Sequence, residues 1–137
     1  MRIAFGTDEV TPVTDLVVAH LHDLGHDVTV VGAGAQWPEV GRGVGTAVAL
    51  GAADRGVVCC WTGTGVAMAA SKVPGVRAAL CGDAETARGA RRWNDANVVA
   101  LGLRLTSAVV AVEVVDAFLA TDVDPDEAPV IARLEEQ

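Results

Sequence analysis

The sequence predicts an α/β fold in which helices cover both faces of a five-stranded parallel sheet. Short apolar runs alternate from end to end with segments whose apolar residues recur at helical spacing. The segments between successive strands are long enough for the helical crossovers that parallel strands require. A Gly-rich turn joins one apolar run to a following helix, at the strand end where open α/β sheets bind ligands. The 137 residues show no repeat or linker, so we expect a single domain over residues 1–137.

The first half of the chain gives two strands and two helices. Residues 2–6 form an apolar strand, and residues 11–24 carry apolar side chains at helical spacing up to Gly25. Residues 27–31 form the second strand. We expect residues 32–43, around Trp37-Pro38, to be rich in turns, and residues 44–51 to form a short helix.

The second half continues the alternation. Strands are predicted at residues 56–60, 77–81 and 97–101, and helices at residues 64–72, from Asp83 to 92, from Thr106 or Ser107 to 120, and at 126–134. Asp83 and Thr106 or Ser107 are residue types that cap helix N-termini. The loops after the first and third strands carry the residues with ligand-binding character. These two strands are therefore expected to flank the topological switch point, where the strand order reverses and ligands bind, which predicts the strand order 2-1-3-4-5.

Composition and charge restrict the partners. A net charge of −8 argues against nucleic acid or an acidic membrane surface as a partner. Three cysteines, two of them adjacent, do not describe a disulfide framework, which favours a reducing compartment. No signal peptide and no apolar run of about 20 residues is visible, so a cytoplasmic location is expected.

The segment from Cys60 to Gly65 carries the strongest chemical signal. It places a thiol and a hydroxyl at the end of the third strand, where backbone N–H groups of the next helix point at an anion. Two interpretations stay open at this stage. The segment is either a nucleophile or base beside an anion hole, or a Gly-rich turn that packs a helix on a strand with a buried structural cysteine.

Three motifs resemble one family of sugar-phosphate isomerases. They read CWTGTG at 60–65, SKVPGVRAAL at 71–80 and NDANVVALG at 94–102, and GTD at 6–8 agrees with them. In this order they look like ribose-5-phosphate isomerase B and the related galactose-6-phosphate isomerase subunits. The resemblance implies a three-layer, flavodoxin-like Rossmann sandwich. It also implies a homodimer, or a dimer of dimers, with shared active sites, and aldose–ketose isomerisation of a sugar or sugar phosphate through an enediolate without metal or cofactor.

The resemblance also implies roles for individual residues. Cys60 aligns with the family's proton-transfer base, Thr62 with its polarising threonine, and Asp8 with a residue that holds sugar hydroxyls; these are the candidate catalytic residues. The candidate substrate-binding residues are Glu9, Trp61, Gly63, Thr64, Gly65, Trp93, Asn94 and Arg104. Purely structural explanations also exist for two of these candidates. Asp8 fits a cap of the first loop, and Asn94 fits a helix C-cap.

Several positions depart from the family pattern. Glu9 and Trp93 stand where the family has histidines, the second of them its ring-opening group, and Trp61 replaces a glycine. Indole has no basic nitrogen and cannot shuttle a proton. The tail at 126–134 is acidic where the family has phosphate-binding arginines, and it keeps Arg133 alone. These changes predict an altered substrate that is already open-chain, non-phosphorylated, or anionic at a different place.

Two alternatives follow from the same departures. The chain is a non-catalytic ligand-binding protein or the supporting subunit of a hetero-oligomeric isomerase. Alternatively, it isomerises ribose 5-phosphate in the ordinary way, which requires Arg91, Arg92 or Arg104 to bind the phosphate and Glu9 to assist ring opening.

Overall fold

The computed structural model describes residues 1–136, in which five strands alternate with helices as predicted. The strands are β1 (Arg2–Thr7), β2 (Asp27–Ala33), β3 (Arg55–Cys60), β4 (Ala78–Leu80) and β5 (Val98–Gly102). The helices are α1 (Pro12–Asp23), α2 (Trp37–Ala49), α3 (Thr64–Ser71), α4 (Ala84–Asn94), α5 (Ala108–Ala120) and α6 (Ala128–Ala132). A 3₁₀ turn at Pro125–Glu127 precedes α6, so the single helix expected over residues 126–134 is two short pieces.

Side-chain caps fix where three helices begin. Thr11 and Thr14 exchange hydrogen bonds in a capping box at the start of α1. Asp83 caps α4 as predicted, and its carboxylate accepts a backbone N–H of the first turn at 2.7 Å. Of Thr106 and Ser107, the residue that caps α5 is Ser107.

The sheet is parallel throughout, in the order β2-β1-β3-β5-β4. The predicted order 2-1-3-4-5 is therefore wrong in its last two strands. The different burial of β4 and β5 explains why their observed order is the reverse of the predicted one. All five residues of β5 are buried, which suits a strand between two neighbours, whereas β4 has three residues that are half-buried or exposed and lies at the edge. The prediction that β1 and β3 are neighbours is confirmed.

Two apolar layers enclose the sheet. On one face, side chains of α1, α4 and α5 pack against Ile3, Phe5 and Cys59. On the other face, side chains of α2 and α3 pack against Ala4, Val58 and Cys60. Because side chains alternate along a strand, the adjacent cysteines of β3 enter opposite layers.

Helix α2 begins seven residues before its predicted start. Pro38 lies in its first turn, where a missing backbone N–H costs nothing. Gly41, which lies in the stretch predicted to be rich in turns, and Gly45, which lies in the predicted helix, both lie against α3. A Cβ on Gly41 would be 2.6 Å from the Ala69 Cβ, and one on Gly45 would be 3.1 Å from the Ala70 carbonyl oxygen. These glycines therefore let two helices approach closely.

Within residues 1–136, no helix has the length and apolar character needed to cross a membrane.

Candidate active site

The thiol of Cys60 lies at the carboxyl end of β3, beneath the start of α3. The residue is 5% exposed. The Gly63 N–H donates a hydrogen bond to the Cys60 Sγ at 3.2 Å. The arrangement therefore places a hydrogen-bonded thiol at the edge of the sheet where open α/β folds bind ligands.

The backbone at Gly63 leaves no space for a side chain. Gly63 is the N-cap of α3 and has a φ of 76°, in the left-handed region that favours glycine. A Cβ there would lie 2.5 Å from the Leu80 Cδ1 and 2.9 Å from the Gly102 nitrogen. This tight turn aims its N–H at the thiol and places the first turn of α3 at the sheet edge.

Gly63, Thr64 and Gly65 are the candidates for binding an anion at this turn. The Gly63 N–H already donates to the Cys60 sulfur, so the donors for an anion come from the residues after it. The first intrahelical bond of α3 runs from the Ala67 N–H to the Gly63 carbonyl. The N–H groups of Thr64, Gly65 and Val66 precede it and have no partner within the helix. Of these residues, Thr64 is exposed, Gly65 is half-buried and Val66 is buried, so the first two are the candidates for binding a ligand oxyanion.

The hydroxyls of Thr62 and Thr64 lie 2.8 Å apart at the exposed rim of the turn. One donates to the other, so one hydroxyl hydrogen stays available for a ligand oxygen. The structure thus brings Thr62 to the same turn as Cys60, as the sequence predicts.

Asp8 follows β1 and joins this edge through a hydrogen bond from its N–H to the Cys59 carbonyl at 3.3 Å. Its Oδ1 is buried and has no hydrogen-bond partner among the described residues. Burial, and secondarily the negative charge of Glu9, raise the pKa of the Asp8 carboxyl. A buried acceptor in this state is suited to a ligand hydroxyl. The neighbouring Glu9 is exposed, and its backbone is held by the Thr7 hydroxyl.

The other two cysteines are held in the protonated form. Burial raises the pKa of the Cys59 thiol far above its ordinary value. Burial, assisted by Asp83, raises the pKa of Cys81 to about 11. Both thiols are therefore poor nucleophiles and poor bases at neutral pH.

A cavity of about 290 Å³ lies beside the Gly-rich turn, between it and the loop after β5. Backbone hydrogen bonds link these segments, since the Arg104 N–H donates to the Trp61 carbonyl at 2.8 Å. Trp61, 54% exposed, and Arg104 both line the cavity. The remaining lining residues are Thr62, Leu80, Cys81, Gly82, Gly102, Leu105 and Thr106. The cavity is mainly apolar, with one guanidinium among its lining groups.

Trp37 contributes to this region although it was not predicted to be a site residue. Its ring covers the first turn of α3, and a Cβ on Gly65 would lie 3.0 Å from two of its ring atoms. The indole is 42% exposed. The contact depends on how α2 packs against α3, and α2 was predicted to begin after this residue.

Trp93 and Asn94 do not join Cys60 within one chain. They end α4, which returns to the amino edge of the sheet before β5, whereas Cys60 lies at the carboxyl edge. Trp93 is 54% exposed, and Asn94 lines a separate cavity with Arg77 and the tail residue Leu134. A single chain therefore does not bring the candidate substrate-binding residues Trp93 and Asn94 to Cys60.

Of the arginines considered for phosphate binding, Arg91 is excluded. It is 2% exposed, and its guanidinium is bound to the Asp95 carboxylate and to two carbonyl oxygens. Arg92 lies in the groove between α4 and α5, away from Cys60. Only Arg104 of the three lies beside the Gly-rich turn.

Comparison with known proteins agrees with this geometry. The model of the Ribose/Galactose Isomerase family matches residues 3–135. Ribose-5-phosphate isomerase B of Escherichia coli is 37% identical over 123 residues, covering 86% of this chain and 83% of that protein. D-erythrulose-4-phosphate isomerase of Pectobacterium atrosepticum is 34% identical over 125 residues, covering 87% and 82%.

A solved structure gives the same result. Ribose-5-phosphate isomerase B of Clostridium thermocellum superposes with a TM-score of 0.94 at 34% identity, covering 99% of this chain and 96% of that one. The fold, a Rossmann-like sandwich, therefore agrees over 99% of the chain. The chain belongs to the ribose/galactose isomerase family and is an aldose–ketose isomerase.

Proposed function

We propose that Cys60 is the base that moves the proton during isomerisation. The observation that carries this assignment is the position of its Sγ, at a strand end and hydrogen-bonded by the Gly63 N–H. In the forward direction the thiolate removes the proton from C2 of an open-chain aldose, and the electron pair moves through the new C1–C2 double bond to O1. The thiol then returns the proton to C1, while a second proton passes from O2 to O1, which leaves a ketose.

The groups around Cys60 suit the oxygens of this enediolate. The N–H groups of Thr64 and Gly65 stabilise the charge that develops on oxygen. The hydroxyl of Thr62, paired with that of Thr64, carries the proton from O2 to O1. The unpartnered Oδ1 of Asp8 accepts a sugar hydroxyl.

The substrate we propose is a short sugar that is open-chain from the start. Trp93 offers an N–H donor but no basic nitrogen for ring opening. The relative from Pectobacterium is named for D-erythrulose 4-phosphate. In such a tetrose derivative the C4 oxygen carries the phosphate, so no five-membered ring closes and none needs opening. A substrate of this kind suits a chain that lacks the ring-opening histidine.

The anion of this substrate binds at Arg104 in our proposal. The acidic tail residues Asp126 and Glu127 would repel a phosphate dianion, whereas Arg104 lines the cavity beside the Gly-rich turn that follows Cys60. The apolar faces of Trp61 and Leu105 around Arg104 limit the ligand's size. Phosphate binding thus shifts from the tail to the loop after β5.

We also propose that the working enzyme is a symmetric dimer. Trp93 and Asn94 lie at the amino edge of the sheet and Cys60 at the carboxyl edge, so only a second chain can bring them together. A two-fold axis that sets one edge against the other builds two identical sites at once. The free cysteines Cys59, Cys60 and Cys81 suit a reducing compartment, and we place the dimer in the cytoplasm.

Steady-state kinetics test the proposed substrate class. We expect erythrose 4-phosphate to be converted with kcat/KM of about 10⁴ M⁻¹s⁻¹ or more, and ribose 5-phosphate at least about tenfold less efficiently. Arg104→Gln should raise KM for the phosphorylated substrate more than it lowers kcat. A higher kcat/KM on ribose 5-phosphate would contradict the open-chain substrate. Binding of both sugars without turnover would instead assign the chain the supporting role.

A further inference from the structure

The turn after α4 is held by an unusual residue. Asp95 has a φ of 46° and is, within residues 1–136, the one residue other than glycine with a positive φ. It follows Trp93 and Asn94 directly and ends α4. Glycine is the usual residue where a helix ends in this conformation. An aspartate at such a position suggests that its carboxylate is needed there.

Arg91 binds the Asp95 carboxylate from inside the protein. Its Nη1 donates to the Asp95 Oδ1 at 2.7 Å and to the Ala96 carbonyl at 2.5 Å. Its Nε donates to the Thr121 carbonyl at 3.1 Å, where α5 ends. The guanidinium carbon also lies 5.8 Å from the centre of the Phe118 ring. The turn is thereby attached to the end of α5.

Arg77 binds the same residue from the outer side. Its Nη2 donates to the Asp95 Oδ2 at 3.0 Å, and its Nε donates to the Asp95 carbonyl at 2.9 Å. Its Nη1 donates to the Glu135 Oε1 at 2.6 Å, which brings the C-terminal tail into the network. Two arginines thus fix both the carboxylate and the backbone of Asp95.

We propose that Asp95 is a positioning residue for Asn94 and Trp93. The ion pairs with Arg77 and Arg91 hold the turn in the one orientation that presents these two side chains to the partner's active site. This inference rests on the proposed dimeric isomerase. A group that enters a neighbouring site must be held to within a fraction of an ångström, because small displacements lower turnover strongly. The network supplies that rigidity at the end of a helix whose last side chains are exposed.

The first test is a double-mutant cycle on turnover. Asn94→Ala and Asp95→Asn should each lower kcat by about tenfold to 100-fold, with a smaller change in KM. Because Asp95 acts through Asn94, Asp95→Asn should have little further effect in the Asn94→Ala background. Effects on kcat that multiply in the double variant would contradict the proposal.

A second readout does not depend on activity. In a chain carrying Trp37→Phe and Trp61→Phe, Trp93 is the only tryptophan, so its fluorescence anisotropy and its quenching by acrylamide report on this turn. Asp95→Asn should lower the anisotropy and raise the quenching constant by about twofold or more. Unchanged Trp93 signals would contradict the positioning role. Absence of turnover in the parent chain would count against the proposed function alone, since this readout would still decide the role of Asp95.

Two further variants complete the experiment. Asp54→Asn is the matched control, because it removes the partner of the Arg2 ion pair at 2.8 Å, away from Trp93, and should change neither readout. Arg77→Lys keeps the charge but loses the double contact with Asp95, so it tests the same network if Asp95→Asn fails to fold. We expect it to shift Trp93 anisotropy in the same direction, by less. Wild-type anisotropy and kcat in Arg77→Lys would overturn the proposal in that case.

Discussion

At the scale of single residues, the candidate site depends on a closely packed backbone turn. Gly63 is enclosed by Leu80 and Gly102, so its N–H has a fixed direction toward the Cys60 sulfur. Any side chain at this position would open the turn and remove that hydrogen bond. The thiol is therefore set up by local geometry, while Cys59, one residue earlier, is kept protonated by burial.

Asp8→Asn should make the folded protein more stable at neutral pH while it lowers the activity. The folded carboxyl has a raised pKa, so the folded state holds its proton more tightly than the unfolded state does. Wild-type stability therefore falls relative to the variant as pH rises through the ordinary value of 3.8 and then through the higher folded pKa. Urea unfolding should show the variant to be the more stable at pH 7, with the difference shrinking toward pH 3.

The same variant should lose activity, because an amide binds a sugar hydroxyl differently from a carboxylate. We expect kcat/KM to fall by about tenfold or more. An Asp8→Asn protein that is less stable at pH 7, with full activity, would show that the carboxylate serves the fold and not the ligand.

At the scale of helices and strands, the contact between α2 and α3 sets the position of the Gly-rich turn. Gly41 and Gly45 let α2 lie against α3, and Trp37 then covers the first turn of α3. The site thus depends on a helix that contributes no candidate catalytic residue.

Gly41→Ala tests this contact. The new Cβ would lie 2.6 Å from the Ala69 Cβ and 2.7 Å from the Val66 carbonyl oxygen, so the helices must separate. We expect chemical denaturation to show a loss of about 1–3 kcal/mol in the free energy of unfolding. Gly82→Ala is the control, because nothing lies within 4 Å of its added methyl group, and it should change the value by less than about 0.5 kcal/mol. Equal effects of the two substitutions would contradict the close packing.

The elements that the sequence predicted well are those with a local signal. The turn after β3 was found because strand, glycines and helix are contiguous, and Asp83 because a cap lies beside its helix. The start of α2 was missed because its glycines serve a contact with a distant helix. The order of β4 and β5 was missed because both runs are apolar, and only their burial in the assembled sheet separates edge from centre.

At the scale of the whole molecule, the two groups of candidate site residues lie at opposite edges of the sheet of one chain. Cys60, Thr62 and Asp8 lie at the carboxyl edge, and Trp93 and Asn94 at the amino edge. The resemblance to the family implies shared sites, and this separation is the physical argument behind the proposed dimer.

Subunit complementation tests the shared site. Cys60→Ala and Asn94→Ala should each keep at most about a tenth of wild-type activity alone. After unfolding and refolding together, half of the dimers are hybrids, and each hybrid holds one site with both original residues. Activity should therefore return to about a quarter of wild type. No recovery, with hybrids demonstrated by mass spectrometry, would show that each site is built within one chain.

The most direct test of the central claim follows the proton itself. The substrate is incubated in D₂O, and the exchange of its C2 hydrogen is measured by NMR for the wild type, Cys60→Ala and the control Cys59→Ala, whose thiol lies in the opposite apolar layer. We predict rapid exchange for the wild type and Cys59→Ala, and a rate about 10²–10⁴-fold lower for Cys60→Ala, because the base is missing. Exchange at the wild-type rate in Cys60→Ala would contradict the assignment of Cys60 as the base.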